Sequence, residues 1–339
     1  MNRLFCFLFV ITCWSCTQYS QTEKYQKKRN NVLNVRDKVK EILIEDVFIS
    51  NISYPYIIGR YFIVRDYNSH DKLVHIFDKN EFNYITSIAQ RGEGPGEILN
   101  IGYIATDEAN RRFYVSDWGK QKIFSYDLDS ILNPLYIPEV KMETNVGRFP
   151  LEYLYINDTL CIGSVVEPIG NSDYKQLVAK WNMATGEIKP MIYEHPEIEK
   201  KRISFAVSAK YGVYVECYSH HDLMTLCSLD GELKYNIYGK KWNNRKTNAV
   251  SFYGDVMFCN DKIVAIYSPG EDRFGERGLG SKVNHPTKVV IFDIEGNYLK
   301  TLDIGYSIVN FCYDKENNRI IIHFDDDIQF GYLDLDGVI

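Results

Sequence analysis

The chain lacks a basic excess. Its 339 residues hold 39 Lys and Arg against 45 Asp and Glu, a formal net charge of −6. Phosphate backbones need a basic face, so a nucleic-acid partner is excluded as the expected one. The one basic cluster, Glu23 to Asn31, sits in a polar stretch and reads as part of a solvated linker. The chain also lacks paired cysteine motifs. Past residue 16 five cysteines remain, Cys161, Cys217, Cys227, Cys259 and Cys312, with no CxxC spacing. An odd count without that spacing excludes a tidy disulfide framework and a zinc knuckle. Buried free thiols are the expectation, with Cys217–Cys227 across one hairpin as the alternative. Helix formers such as alanine are sparse, whereas Tyr (26) and Phe (18) are abundant, which favours strands.

The apolar run at the N-terminus is short. Arg3 gives a positive start and Leu4 to Ile11 an apolar core, too brief to span a bilayer. Residues 1–15 therefore read as a secretory signal. It ends at Ser15-Cys16, a small residue before cysteine, like the lipobox of bacterial lipoproteins. Cys13 stands where Leu or Val is usual. Cys16 is the expected lipidated first residue, with a polar linker over 16–38. No aspartate follows it, which under lipoprotein sorting rules points to the outer membrane. An ordinary secreted protein is the alternative.

What is present is a repeat. An apolar strand followed by an acidic or Asn/Gly turn recurs as VHIFDKN, IFSYDLD, VAKWNMATG, TLCSLDG, VVIFDIEG and GYLDLDG. Their markers are Asp78, Asp127, Asn182, Ser228, Asp293 and Asp334. These intervals suit units of four short strands, two of them with insertions. In the first unit the strands are expected at Tyr54–Ile58, Tyr61–Arg65, Leu73–Phe77 and Tyr84–Ala89. The last unit shows only three, Val309–Tyr313, Arg319–Phe324 and Ile328–Leu333. A spare strand pattern, Val39 to Ser50, precedes the first unit. If it supplies the missing outer strand, residues 39–339 close into an all-β, six-bladed β-propeller of four-stranded blades. An open solenoid would need polar capping repeats, which do not stand out.

The stretch Gln90 to Leu99, QRGEGPGEIL, looks at first like a phosphate loop. It lacks the Gly-Lys-Ser/Thr of a P-loop and runs into a strand pattern, so no helix N-terminus receives an anion. It reads instead as the corner joining blade one to blade two. Gly92, Gly94 and Gly96 permit unusual backbone angles and close approach, Pro95 stiffens the turn, and Glu97 is available to pair within it. Arg91 and Glu93 either hold the corner or face the central funnel. With Cys16 after its signal, RGEGPGE closing blade one and YDLDSIL (Tyr126 to Leu132) in blade two, residues 40–339 resemble the TolB-like six-bladed β-propeller lipoproteins of Gram-negative bacteria. That resemblance implies a fold and a cell-envelope address, and no particular activity.

In a propeller the loops between second and third strands share a face with the blade-to-blade connections. Both insertions, Gly163 to Gln176 and Ser268 to Lys288, belong to that face, where binding is expected. Candidate binding residues there are His70, Trp118, His220, His221, Arg273 and Asp325, with Arg91 and Glu93. No HExxH, EF-hand or GxSxG pattern occurs, so no metal, cofactor or nucleophile is assigned. Asp325 to Asp327 read as a solvated acidic turn. The leading expectation is a non-catalytic binding or scaffold module for a protein, peptide or glycan, tethered to the membrane by lipid. The alternative is an envelope lyase or hydrolase acting on glycan or peptide in the central funnel.

Overall fold

The computed structural model describes residues 21–133, 135–143, 150–169, 173–243, 251–268 and 285–339. Alternating apolar patterns become six antiparallel sheets arranged around an axis. Strands within a blade are lettered a to d from the axis outward. Blade one is Ser53–Ile58, Tyr61–Asp66, Lys72–Asp78 and Tyr84–Gln90, each within two residues of the expected bounds. Blade two is Ile101–Asp107, Arg112–Asp117, Lys122–Asp127 and Glu139–Glu143. Blade three is Glu152–Asn157, Leu160–Ile169, Asp173–Trp181 and Ile188–Pro190. Blade four is Ile203–Ser208, Val213–Tyr218, Leu223–Ser228 and Leu233–Tyr238. Blade five is Tyr253–Cys259, Lys262–Tyr267, Lys288–Asp293 and Tyr298–Asp303. Blade six is Ile308–Asp314, Arg319–Phe324 and Phe330–Asp334, completed by Lys40–Glu41.

The core is not one mass. Apolar clusters sit at each junction between neighbouring blades. Strand b of blade one, Tyr61–Asp66, is buried at every position. The cluster of Phe62, Val64 and Phe77 with Ile321 and Phe330 joins blade one to blade six and closes the ring. The N-terminal strand completes blade six antiparallel, with Lys40 opposite Tyr332 and Glu41 opposite Gly331. The Ile42 amide adds a hydrogen bond to the Phe330 carbonyl at 2.9 Å. The paired strand is far shorter than the expected Val39 to Ser50. Ile42 and Ile49 leave the ladder to fill the junction between blades six and one.

The stretch expected as a linker is docked wherever it is described. Glu23–Tyr25 adds to strand d of blade four, and Val32–Asn34 to strand d of blade five, both in parallel. Side chains fix the path. Lys24 Nζ donates to the Glu295 carbonyl (2.7 Å), Gln26 Nε2 to that of Gly296 (2.6 Å) and Asn31 Nδ2 to that of Leu299 (2.8 Å). Arg29 enters the junction between blades four and five. It donates to Asp222 Oδ1 at 3.1 Å and to the Tyr253 hydroxyl at 2.7 Å, with Tyr267 and Phe292 rings around its guanidinium. Polar composition hid this segment, since its charges pair with groups that only the folded ring brings near. The cysteines in strands are free; Cys217 lies opposite Met224, not Cys227, which rules the Cys217–Cys227 bridge out of this register.

Candidate functional site

The glycine-rich corner spends its charges on itself. Arg91 donates through Nε to the Ser69 carbonyl (2.7 Å) and through Nη2 to that of Tyr67 (2.5 Å), binding the neighbouring loop of blade one. Glu97 folds back so that Oε2 accepts the Gly94 amide at 2.7 Å. A side chain at Gly92 would displace that carboxylate. Lys120 of blade two donates to the carbonyls of Gly94 (2.9 Å) and Glu97 (2.8 Å), fastening the corner across the junction. Gly96 takes the left-handed backbone (φ 76°), and exposed Pro95 turns the chain beside it. Glu93 points to solvent.

The other expected site residues scatter. His70 is exposed on the b–c loop of blade one. His221 is buried, its Nδ1 3.1 Å from the Asn243 carbonyl and its ring against Trp242, and His220 is half-buried beside it. Asp325 is exposed and lies 3.6 Å from the His285 imidazole. In the same acidic turn Asp326 accepts the Ser307 amide at 2.9 Å. Among the described residues no group of three or more His, Cys, Asp or Glu is placed to hold a metal. Arg273 lies outside the described residues, as does Cys16. The first insertion is no loop at its base but a lengthened hairpin, Leu160–Ile169 with Asp173–Trp181.

Of the described candidates, Trp118 alone lines the central funnel. There the six inner strands enclose a cavity of about 510 Å³, which all six blades line. Its wall is aromatic, with Tyr54, Tyr56, Tyr103, Tyr153, Tyr155 and Trp118, and three charged side chains stand in it: Arg65, Glu152 and Asp255. Local irregularity aims two of these groups. The ladder skips between Ile101 and Ile104 in blade two and between Tyr253 and Val256 in blade five. Such bulges re-aim side chains, here Tyr103 and Asp255. Gly102 lies within the first bulge, and a side chain on it would strike the Trp118 indole. Without a side chain, its carbonyl is also open to Arg65 Nη1.

The electrostatics follow from enclosure. Glu152 and Asp255 keep partial access to funnel water, yet protein surrounds them. Burial pushes the Glu152 carboxyl up to about 8, helped by the nearby Asp255 charge and opposed by Arg65. Burial likewise raises Asp255 to about 6, with Arg65 opposing. Burial is also what raises Tyr56 to about 12 and Tyr103 well above its ordinary value. Arg65 is 7% exposed, its guanidinium 4.1 Å above the Tyr54 ring and its Nε without a partner. Neither carboxylate has a hydrogen-bond or ion-pair partner among the described residues. Nothing in the sequence pattern marks this trio. Glu152 and Asp255 stand in unremarkable strand patterns, and only ring closure turns them toward one space.

A family described as a 6-bladed beta-propeller (DUF5128) matches residues 39–159, from the closing strand into blade three. Among solved structures, a DUF4221-family protein from Bacteroides vulgatus is 13% identical, with a TM-score of 0.61 over 88% of this chain and 98% of its own. A candidate exported protein from Bacteroides fragilis is 10% identical, with a TM-score of 0.54 over 92% of this chain and 98% of its own. A luciferin-regenerating enzyme is 8% identical, with a TM-score of 0.55 over 87% and 94%. Comparison with curated protein sequences gives no match. At these identities the likeness is one of fold. The chain is a six-bladed β-propeller, similar in its first third to that propeller family and in its whole course to these structures.

Proposed function

We propose that this chain is an exported propeller of the cell envelope that binds a small ligand in its central funnel. One observation carries the reading: an aromatic-walled cavity of about 510 Å³ with Arg65, Glu152 and Asp255 in its wall. Cavities of this size lined by rings and a few polar groups are the usual form of a ligand site. The RGEGPGE corner is not part of this wall. The envelope address rests on the N-terminal signal pattern and Cys16, and the exported description of a structural neighbour agrees with it. Outer-membrane placement and lipid tethering belong to the same proposal. Cys16→Ala is expected to release the protein from membranes; continued retention would sink the anchor. For the funnel, a screen of small peptides, amino acids and oligosaccharides by thermal shift is the test. A hit that Trp118→Ala and Tyr103→Ala both abolish supports the site, and a hit indifferent to both places binding elsewhere.

A second reading is favoured by a specific feature. Glu152 near 8 and Asp255 near 6 leave one carboxyl protonated and one ionised at neutral pH, the state of a general acid beside a base. A structural neighbour of the same fold is named an enzyme. A lyase or hydrolase acting in the funnel on glycan or peptide would use these two groups. Turnover with a bell-shaped pH profile, lost in Glu152→Gln, would establish it. Binding without turnover would leave the first reading in place.

A further inference from the structure

Resting on the funnel reading, we infer that the ligand is a small zwitterion with a free amino group and a free carboxylate, a short peptide in chemical class. The amine is held between Glu152 and Asp255, and the carboxylate is received by Arg65.

The inference starts from charges that the fold leaves unspent. Elsewhere among the described residues several buried charges are paired, Arg29 with Asp222, Lys201 with Glu216, and Lys79 and Arg319 with Asp314, and buried Asp107 and Asp117 accept hydrogen bonds. In the funnel the pattern fails. Glu152 and Asp255 line the cavity without a partner among the described residues, and so does the buried Arg65 Nε, although Nη1 holds the Gly102 carbonyl. Enclosed charges that go unpaired are costly, and a ligand of matching charge relieves the cost. An ammonium group donates several hydrogen bonds, enough for both carboxylates, and a guanidinium pairs well with a planar carboxylate. Neutral sugars would leave Arg65 and Asp255 without an opposite charge. A simple anion would answer only Arg65, against two acids. The tyrosine and tryptophan rings supply faces for the ligand's own side chain and for its cationic end. The cavity volume accommodates a dipeptide.

Binding has a proton signature. In the empty funnel at pH 7 Glu152 holds its proton, since its carboxyl titrates near 8. Seating an ammonium beside it favours the ionised form, so the proton leaves to solvent as the amine arrives. Affinity therefore rises with pH toward about 8, then falls as the ligand's own α-amino group, with an ordinary pKa of about 8, loses its charge.

The test is calorimetric titration of the full chain, solubilised in detergent, with glycyl-tyrosine, N-acetyl-glycyl-tyrosine, glycyl-tyrosine amide, cellobiose and calcium chloride. Glycyl-tyrosine is expected to bind, and each capped form at least tenfold more weakly. Close to one proton is released at pH 7, measured by repeating the titration in phosphate and Tris. Glu152→Gln and Asp255→Asn each weaken the free dipeptide at least tenfold, and Glu152→Gln removes the proton release. Both are near-isosteric, and circular dichroism checks that they fold. Equal binding of capped and free dipeptides overturns the inference, as does heat from none of the five probes. Heat from cellobiose or calcium chloride alone, lost in Glu152→Gln, overturns the zwitterion and leaves the funnel site standing. Dipeptide heat unchanged by Glu152→Gln, Asp255→Asn and Tyr103→Ala overturns both.

Discussion

The glycine corner and the funnel wall both carry arginine and carboxylates, and they use them in opposite ways. In the corner, Arg91 and Glu97 are consumed by backbone groups within hydrogen-bond distance. In the funnel, Glu152 and Asp255 have no partner among the described residues and are shifted toward neutrality. The conspicuous motif is architecture, while the site residues lie in ordinary strands. A charge that the fold has already satisfied is a poor candidate for binding. One held unpaired against its solvation cost is a good one.

This contrast can be broken by substitution. The largest effect is expected at another spent charge, Arg29. Removing it leaves Asp222 buried and uncompensated between blades four and five, so Arg29→Ala should cost about 3–5 kcal/mol in denaturant unfolding. A loss under about 1 kcal/mol would mean the N-terminal segment is only laid on the surface. Next is the corner. Gly92→Val forces Glu97 out of its fold, and Arg91→Ala frees the loop of blade one; each is expected to cost about 1–3 kcal/mol without altering funnel binding. Loss of binding with no loss of stability in Arg91→Ala would reverse the comparison.

The funnel should respond with the opposite sign. Glu152 is raised in the folded state, so the folded protein binds more protons than the unfolded chain between about 4.5 and 8. Its contribution therefore favours folding at low pH and fades as pH rises through that window. Glu152→Gln is expected to stabilise the protein at pH 8 by about 1 kcal/mol, discounted for funnel water, and to leave stability near pH 4 unchanged. Destabilisation at pH 8 would show that the carboxylate has a partner. The smallest effect is expected at Glu93, which points to solvent. Glu93→Ala should change stability by no more than about 0.5 kcal/mol and binding not at all.

Much of the fold was legible because it is local. Turn chemistry at Asp78, Asp127 and Asp293 and the alternation between the turns marked strands to within two residues in blade one. The count of three strands in the last unit called for a fourth from the N-terminus, and Lys40–Glu41 supply it. The docked segment at 21–38 was not legible. Its fixing contacts run from Lys24 to Glu295 and from Arg29 to Asp222, across 271 and 193 residues of chain. The site was hidden for the same reason. Glu152 and Asp255 come from blades three and five and meet only across the axis, and Asp255 is aimed by a bulge that no propensity announces. Trp118 was visible because an aromatic at a loop tip stands out locally.

The most direct measurement of the central claim is a ¹³C carboxyl titration of Glu152 in the ligand-free protein. A midpoint near 8, moved downward when glycyl-tyrosine is added, is the predicted result. A midpoint near the ordinary 4.5 would mean that the carboxylate is already paired or freely hydrated, and would contradict the account.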